Sequence, residues 1–151
     1  MPALRFNHME LTLAQGALDP ATRDDIKRFY ADVFEMEALD VPILKQIGLL
    51  LRTDPETSQF LLVTETKQPI HSPGFDHLGF LYPSRAEVDE RLARVRQWQA
   101  RDDRVRIKEY ADLVTGETTV HAFYVRYLLP IWFDVQCIES PLSEGPRWTW
   151  A

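Results

Sequence analysis

Apolar and polar residues alternate near the start of the chain. Met9, Leu11 and Leu13 fall on one side of an extended segment, and Phe6, His8, Glu10 and Thr12 on the other. That alternation predicts a strand with one apolar face. The period then lengthens. Ile26, Phe29, Tyr30, Val33 and Phe34 are spaced as a single helical stripe. Asp19 is placed to cap that helix, and Pro20 takes its first position. Strand-like text returns in a short run near 38–44, then at 47–52 and 59–65, with Asp54-Pro55 marking a turn.

The same order recurs in the second half. Phe75-Asp76-His77-Leu78-Gly79-Phe80 echoes Phe6-Asn7-His8-Met9-Glu10-Leu11. Ser84 and Glu87 have capping-box spacing, and Val88, Leu92, Val95 and Trp98 make a second helical stripe. Setting Arg23 against Arg85 also sets Ile26 against Val88, Tyr30 against Leu92 and Val33 against Val95. Strands are expected at 105–111, 118–127 and 131–138, divided by turns at Thr115-Gly116 and Pro130. The pattern predicts an α+β protein of two βαβββ modules in tandem. Module one covers about 4–66, a Pro-containing linker 66–74, module two about 75–139, and a tail 140–151. An unrelated α+β domain carrying a chance echo is the alternative.

Alternation also assigns faces. Ile131, Phe133, Val135 and Cys137 are apolar and belong under a helix, which turns Trp132, Asp134, Gln136 and Ile138 the other way. His8, His77 and Gln136 therefore all lie on the side of their strands away from the helices. Sheets with helices outside and polar groups inside would form a cup, where two imidazoles and an amide could hold a metal or a small molecule. Against this, a single strand histidine is more often a hydrogen-bonded core or surface residue; the repeated register is what favours a site. His71 falls in the linker and is expected to be solvated. His121 shares parity with Phe123 and Val125 and reads as a packing or supporting residue.

Composition narrows the classes. With 151 residues, 45% of them hydrophobic, the chain can bury a core without disulfides or structural metal. Its one cysteine, Cys137, excludes a disulfide framework and fits a reducing compartment, the cytoplasm. No apolar run is long enough to span a membrane, and no signal peptide is visible at the start. A formal net charge of −6 argues against sequence-independent nucleic-acid binding.

These residues carry a resemblance. The segment Asn7-His8-Met9-Glu10-Leu11, the helix through Phe29-Tyr30 and Val33-Phe34, the segment Asp76-His77-Leu78-Gly79-Phe80 and the closing stretch 130–138 are similar to the vicinal oxygen chelate superfamily. That group includes glyoxalase I, bleomycin-resistance proteins, methylmalonyl-CoA epimerase and extradiol dioxygenases. The likeness covers almost the whole chain up to Glu139. It implies paired βαβββ modules whose sheets curl around a metal site, helices on the outer face. It further implies a divalent metal (Fe, Mn, Ni or Zn) held by a histidine on the first strand of each module and a glutamate on the last strand. His8 and His77 stand at the first two positions. At the third, Gln136 replaces the glutamate, and Leu129-Pro130-Ile131-Trp132 replaces the usual Gly-containing turn. A neutral amide can coordinate but adds no charge. Glu10, on the face of His8, could supply a carboxylate or act as a proton-transfer base. Anchoring Pro55 on Pro130 sets Leu61 opposite Gln136, where some relatives use a fourth ligand.

Three readings follow. The first is a metal-dependent enzyme acting on a small substrate with vicinal oxygens, of lyase, isomerase or ring-cleaving dioxygenase type. The second is a metal-free binding protein of the bleomycin-resistance kind, its cup lined by Phe6, Phe75, Tyr124 and Trp132 with Arg126 offering a charge. The third is a degenerate member without chemistry. Two of the four tryptophans, Trp148 and Trp150, sit in the tail beside Arg147. They are expected to make a contact, either with their own domain or across a homodimer.

Overall fold

The computed structural model describes residues 4–141. By internal contacts it divides into two units. One holds the chain up to His71 together with Leu128–Pro130; the other holds Ser72–Tyr127 and the chain from Ile131. The tail with Trp148 and Trp150 lies outside the described residues.

The first unit runs β1 (His8–Ala14), α1 (Pro20–Phe34), β2 (Glu37–Ile43), β3 (Gln46–Arg52) and β4 (Phe60–Thr66). Its strands are ordered β1-β4-β3-β2. The second runs β5 (His77–Leu81), α2 (Arg85–Gln99), β6 (Arg106–Glu109), β7 (Leu113–Thr115), β8 (Thr118–Arg126) and β9 (Trp132–Glu139). Its order is β5-β9-β8-β6, with β7 also pairing β8. In both units the first and last strands pair in parallel and the other pairs are antiparallel. Each unit is thus a βαβββ module with a mixed sheet, as the repeat predicts. The short strand β7 was not expected. Its three residues lead into the turn at Gly116, whose φ of +60° suits a residue without Cβ.

The caps form where the sequence places them. Asp19 accepts a hydrogen bond from the Thr22 amide at 2.7 Å, and Pro20 opens α1. The Ser84 hydroxyl accepts from the Glu87 amide at 3.3 Å and donates to the Glu87 carboxylate at 2.8 Å. The whole expected stripe of α1 is buried. In α2, Val88, Val95 and Trp98 are buried, but Leu92 is half-buried and Arg91 takes its place inside. Arg91 lays its guanidinium 5.3 Å from the centre of the Tyr82 ring, so a long charged side chain covers apolar surface. No helix among the described residues is long and apolar enough to cross a membrane.

The helix-facing core follows the alternation. Leu11, Leu49, Leu51, Leu61 and Val63 are buried in the first unit, and Phe123, Val125, Phe133, Val135 and Cys137 in the second. Register corrects one expectation. His8 pairs with Phe60 and Thr12 with Thr64, whereas His77 pairs with Trp132 and Leu81 with Gln136. The counterpart of Gln136 in the first unit is therefore Thr64, and that of Asp134 is Leu62; Leu61 faces the helix. The proline anchor misleads because the connection before β4 (residues 53–59) is longer than the one before β9 (residues 127–131).

A charged cluster closes the helix side of the second unit. Arg85 donates to Asp112 at 2.7 Å and to Glu139. His121 lies 2.7 Å from Asp89 through Nε2 and 2.8 Å from Asp112 through Nδ1. Burial alone would lower the His121 pKa, but the two carboxylates outweigh it and raise it above 6.5. Asp112 is held down at about 2, first by Arg85 and then by His121. The raised imidazole stabilises the fold fully below pH 6.5 and stops doing so as pH rises through its elevated folded value. The depressed carboxylate stabilises above pH 3.8 and stops as pH falls through about 2. Stability from this cluster should accordingly be greatest between 3.8 and 6.5. Urea midpoints measured across the neutral range should fall as pH rises, and a His121→Gln variant should flatten that slope; an unchanged slope would remove His121 as its cause.

Candidate functional site

The helix-free face of the second sheet gathers unusual chemistry. The chain enters β5 through Phe75-Asp76. The Asp76 carbonyl accepts from the Trp132 amide at 3.1 Å, and the Asp76 carboxylate accepts from the Ser72 hydroxyl at 3.0 Å. This anchors His77 beside Trp132 at the start of the parallel ladder. Nδ1 of His77 lies 2.8 Å from the Phe75 carbonyl oxygen. A carbonyl only accepts, so Nδ1 carries the proton and donates. Nε2 lies 3.5 Å from the Tyr124 hydroxyl and 3.8 Å from Asp134 Oδ2.

Asp134 sits at the centre of this face. It pairs with Tyr124 on β8 and with Gly79 on β5. It is 8% exposed, and its Oδ1 has no hydrogen-bond partner. Burial pushes its carboxyl above the ordinary 3.8, against a weaker pull from His77. Gly79 presents no side chain toward it; a Cβ there would come within 3.4 Å of Gln136 Nε2. A buried carboxylate with an unused oxygen costs stability, and functional sites are where such costs persist.

Aromatic rings surround the pair. Phe75 lies 5.2 Å from Trp132 and 6.5 Å edge-on from Tyr124. Tyr124 is 4.8 Å from both His77 and Tyr110. Lys108 holds its ammonium 3.7 Å from the centre of the Phe75 ring and 5.1 Å from that of Tyr110. Phe75 and Tyr110 remain 45% and 42% exposed, so two ring surfaces stay accessible. The phenol of Tyr124 is pushed up, chiefly by burial and then by Asp134; it stays a neutral donor.

Of the residues proposed from sequence, Phe75, His77, Tyr124 and Trp132 come together here. Arg126 lies on the same face, where Arg106 pairs with it. Gln136 is one same-face step beyond Asp134 on β9, paired with Leu81 and Ala122. Phe6, His8 and Glu10 belong to the first unit. Phe6 precedes β1 and is 87% exposed. His8 stacks on Phe60 with centroids 4.9 Å apart, and its Nδ1 lies 2.7 Å from Asn7 Oδ1. The Asn7 amide donates to the Ser58 carbonyl, which fixes Oδ1 as the acceptor for His8. Glu10 accepts from the Thr64 hydroxyl at 2.7 Å. Asp134, Lys108 and Tyr110 are the participants that sequence reasoning missed. Alternation had placed Asp134 on this face; the resemblance drew attention to Gln136 instead.

Among the described residues no three of His, Cys, Asp and Glu come together as metal ligands. The neutral Gln136 cannot make up the missing charge.

No protein-family model matches the sequence, and no curated protein sequence matches it significantly. Solved structures do match. A glyoxalase/bleomycin resistance protein from Albidiferax ferrireducens superposes with a TM-score of 0.55 at 15% identity, over 87% of this chain and 97% of that one. Lactoylglutathione lyase from Agrobacterium tumefaciens gives 0.56 at 18%, over 90% and 95%. A mutant of the fosfomycin resistance protein FosX from Listeria monocytogenes, solved with Mn(II) and a dihydroxypropylphosphonic acid, gives 0.58 at 14%, over 89% and 92%. At such identities the likeness speaks for the fold.

Proposed function

We propose that this chain, which has the vicinal oxygen chelate fold, binds a small molecule on the helix-free face of its second sheet. Asp134 and His77 form the polar pair, and Phe75, Tyr110, Tyr124 and Trp132 form the aromatic wall. The observation that carries this reading is the buried Asp134 carboxylate with an unpartnered oxygen beside exposed ring surface. A few convergent polar groups in aromatic surroundings are the usual make-up of a ligand site. Chemically, Asp134 can accept a proton or a cation, and the Tyr124 hydroxyl can donate to His77 Nε2.

A second reading is a divalent-metal enzyme acting on vicinal oxygens, with His8, His77 and Gln136 or Glu10 as ligands. What favours it is the matched state of the two first-strand histidines. Each has Nδ1 tied to a neighbouring oxygen, the kind of bond that orients imidazoles toward a metal. The FosX structure, solved with Mn(II), shows that a protein of this fold holds such an ion. The neutral amide of Gln136 in place of a carboxylate weighs against it here.

Mn(II) titration followed by NMR separates the two. Binding without metal predicts weak broadening, with no saturation at the His8 and His77 rings. Saturable broadening of both rings at stoichiometric Mn(II) would replace the first reading with the second. In either case a His77→Ala variant should lose binding of any ligand found by thermal-shift screening; retention would move the site elsewhere.

A further inference from the structure

We propose that the group recognised on this face is an organic ammonium, a quaternary or tertiary amine, seated between the aromatic rings and Asp134. The inference rests on the small-molecule reading above and names the chemistry of the ligand. Three observations converge on it. Asp134 is 8% exposed as a residue, and its Oδ1 is buried with no hydrogen-bond partner. Its ionic neighbour among the described residues is His77, whose Nε2 lies 3.8 Å from Oδ2, too far for a hydrogen bond. Oδ1 is left without a hydrogen-bond partner on the helix-free side of β9. Around His77, on the same face, stand the rings of Phe75, Tyr124 and Trp132, whose quadrupoles attract cations.

The protein itself demonstrates the affinity. Lys108 reaches across from β6 to lay its ammonium on Phe75 and Tyr110 rather than extending into water. A free ammonium ligand would use the same kind of surface with a carboxylate added. Its alkyl groups would match the half-exposed rings, and its charge would match Asp134. A carboxylate or phosphate ligand would instead meet the unpaired Asp134 oxygen as a like charge.

The test compares choline with 3,3-dimethylbutan-1-ol, its neutral carbon isostere, by chemical-shift titration of the full chain. Choline should move the Trp132 indole, Gly79 and Tyr124 signals saturably, and the isostere should bind about tenfold more weakly. Asp134→Asn should lose that preference. Lys108→Met should strengthen choline binding, since it removes the chain's own competing ammonium. The second variant keeps the test decisive if the first folds poorly. Equal binding of choline and its isostere would overturn the ammonium assignment. Phenol serves as the neutral aromatic control. If phenol moves these signals and choline does not, the ammonium inference fails and the small-molecule site stands. If none of the three probes moves them, both fail.

Discussion

Replacing Asp134 by asparagine is expected to stabilise the protein by about 1–3 kcal/mol while removing its ligand. Asp134 is 8% exposed as a residue, its side chain 12%, and Oδ1 is unpartnered. An asparagine of the same shape carries no charge to desolvate. Its amide would stand where the carboxylate now lies 3.8 Å from His77 Nε2. The sign of the pH dependence follows from the raised carboxyl pKa. Ionising Asp134 costs the folded state stability as pH rises from 3.8 through its elevated folded value, and costs nothing below 3.8. The gain from Asp134→Asn should therefore be present at neutral pH and vanish in acid. Urea unfolding at several pH values reads this directly. A variant less stable than the parent at neutral pH would mean that the carboxylate supports the fold and that its burial is not a functional cost.

Phe133→Ala is expected to have the largest destabilising effect on the second unit, about 3–5 kcal/mol. Phe133 is fully buried in β9, between Leu78 of β5 and Val125 of β8, and stacks on Phe80 at 4.7 Å. Removing the ring deletes apolar contact and leaves a cavity beneath the strand that carries Trp132, Asp134 and Gln136. Phe75→Ala, just before the neighbouring strand β5 and 45% exposed, should cost well under half of that. The contrast in urea midpoints separates a ring that builds the sheet from one that is offered to a ligand. Comparable losses at the two positions would place Phe75 in the core.

Much of this architecture was legible in the sequence because its signals are local. The caps at Asp19 and Ser84 announce the helices, and the alternation through Phe133, Val135 and Cys137 assigns both faces of β9. The repeated histidine marks the equivalent strands. What escaped depends on pairing between distant segments. Strand β7 is three residues long and has too few positions to show a period. Thr64 rather than Leu61 matches Gln136 because the turns before β4 and β9 differ in length, and a proline anchor cannot see that. Arg91 replaces Leu92 inside because a flexible charged side chain can bury its stem over Tyr82. Alternation correctly turned Asp134 to the helix-free face, but only its burial and the missing hydrogen bond single it out. Lys108 and Tyr110 join through the register of β6 on β8, which no single segment encodes.

The most direct test of the site is its location by chemical-shift mapping of the full chain with phenol and choline as probes. Saturable shifts centred on Gly79, Tyr124, Trp132 and Asp134, lost for choline in Asp134→Asn, are the expected result. Shifts centred instead on the β2–β3 turn (residues 42–47), where a surface cavity also opens, with none at Trp132 or Asp134, would contradict it.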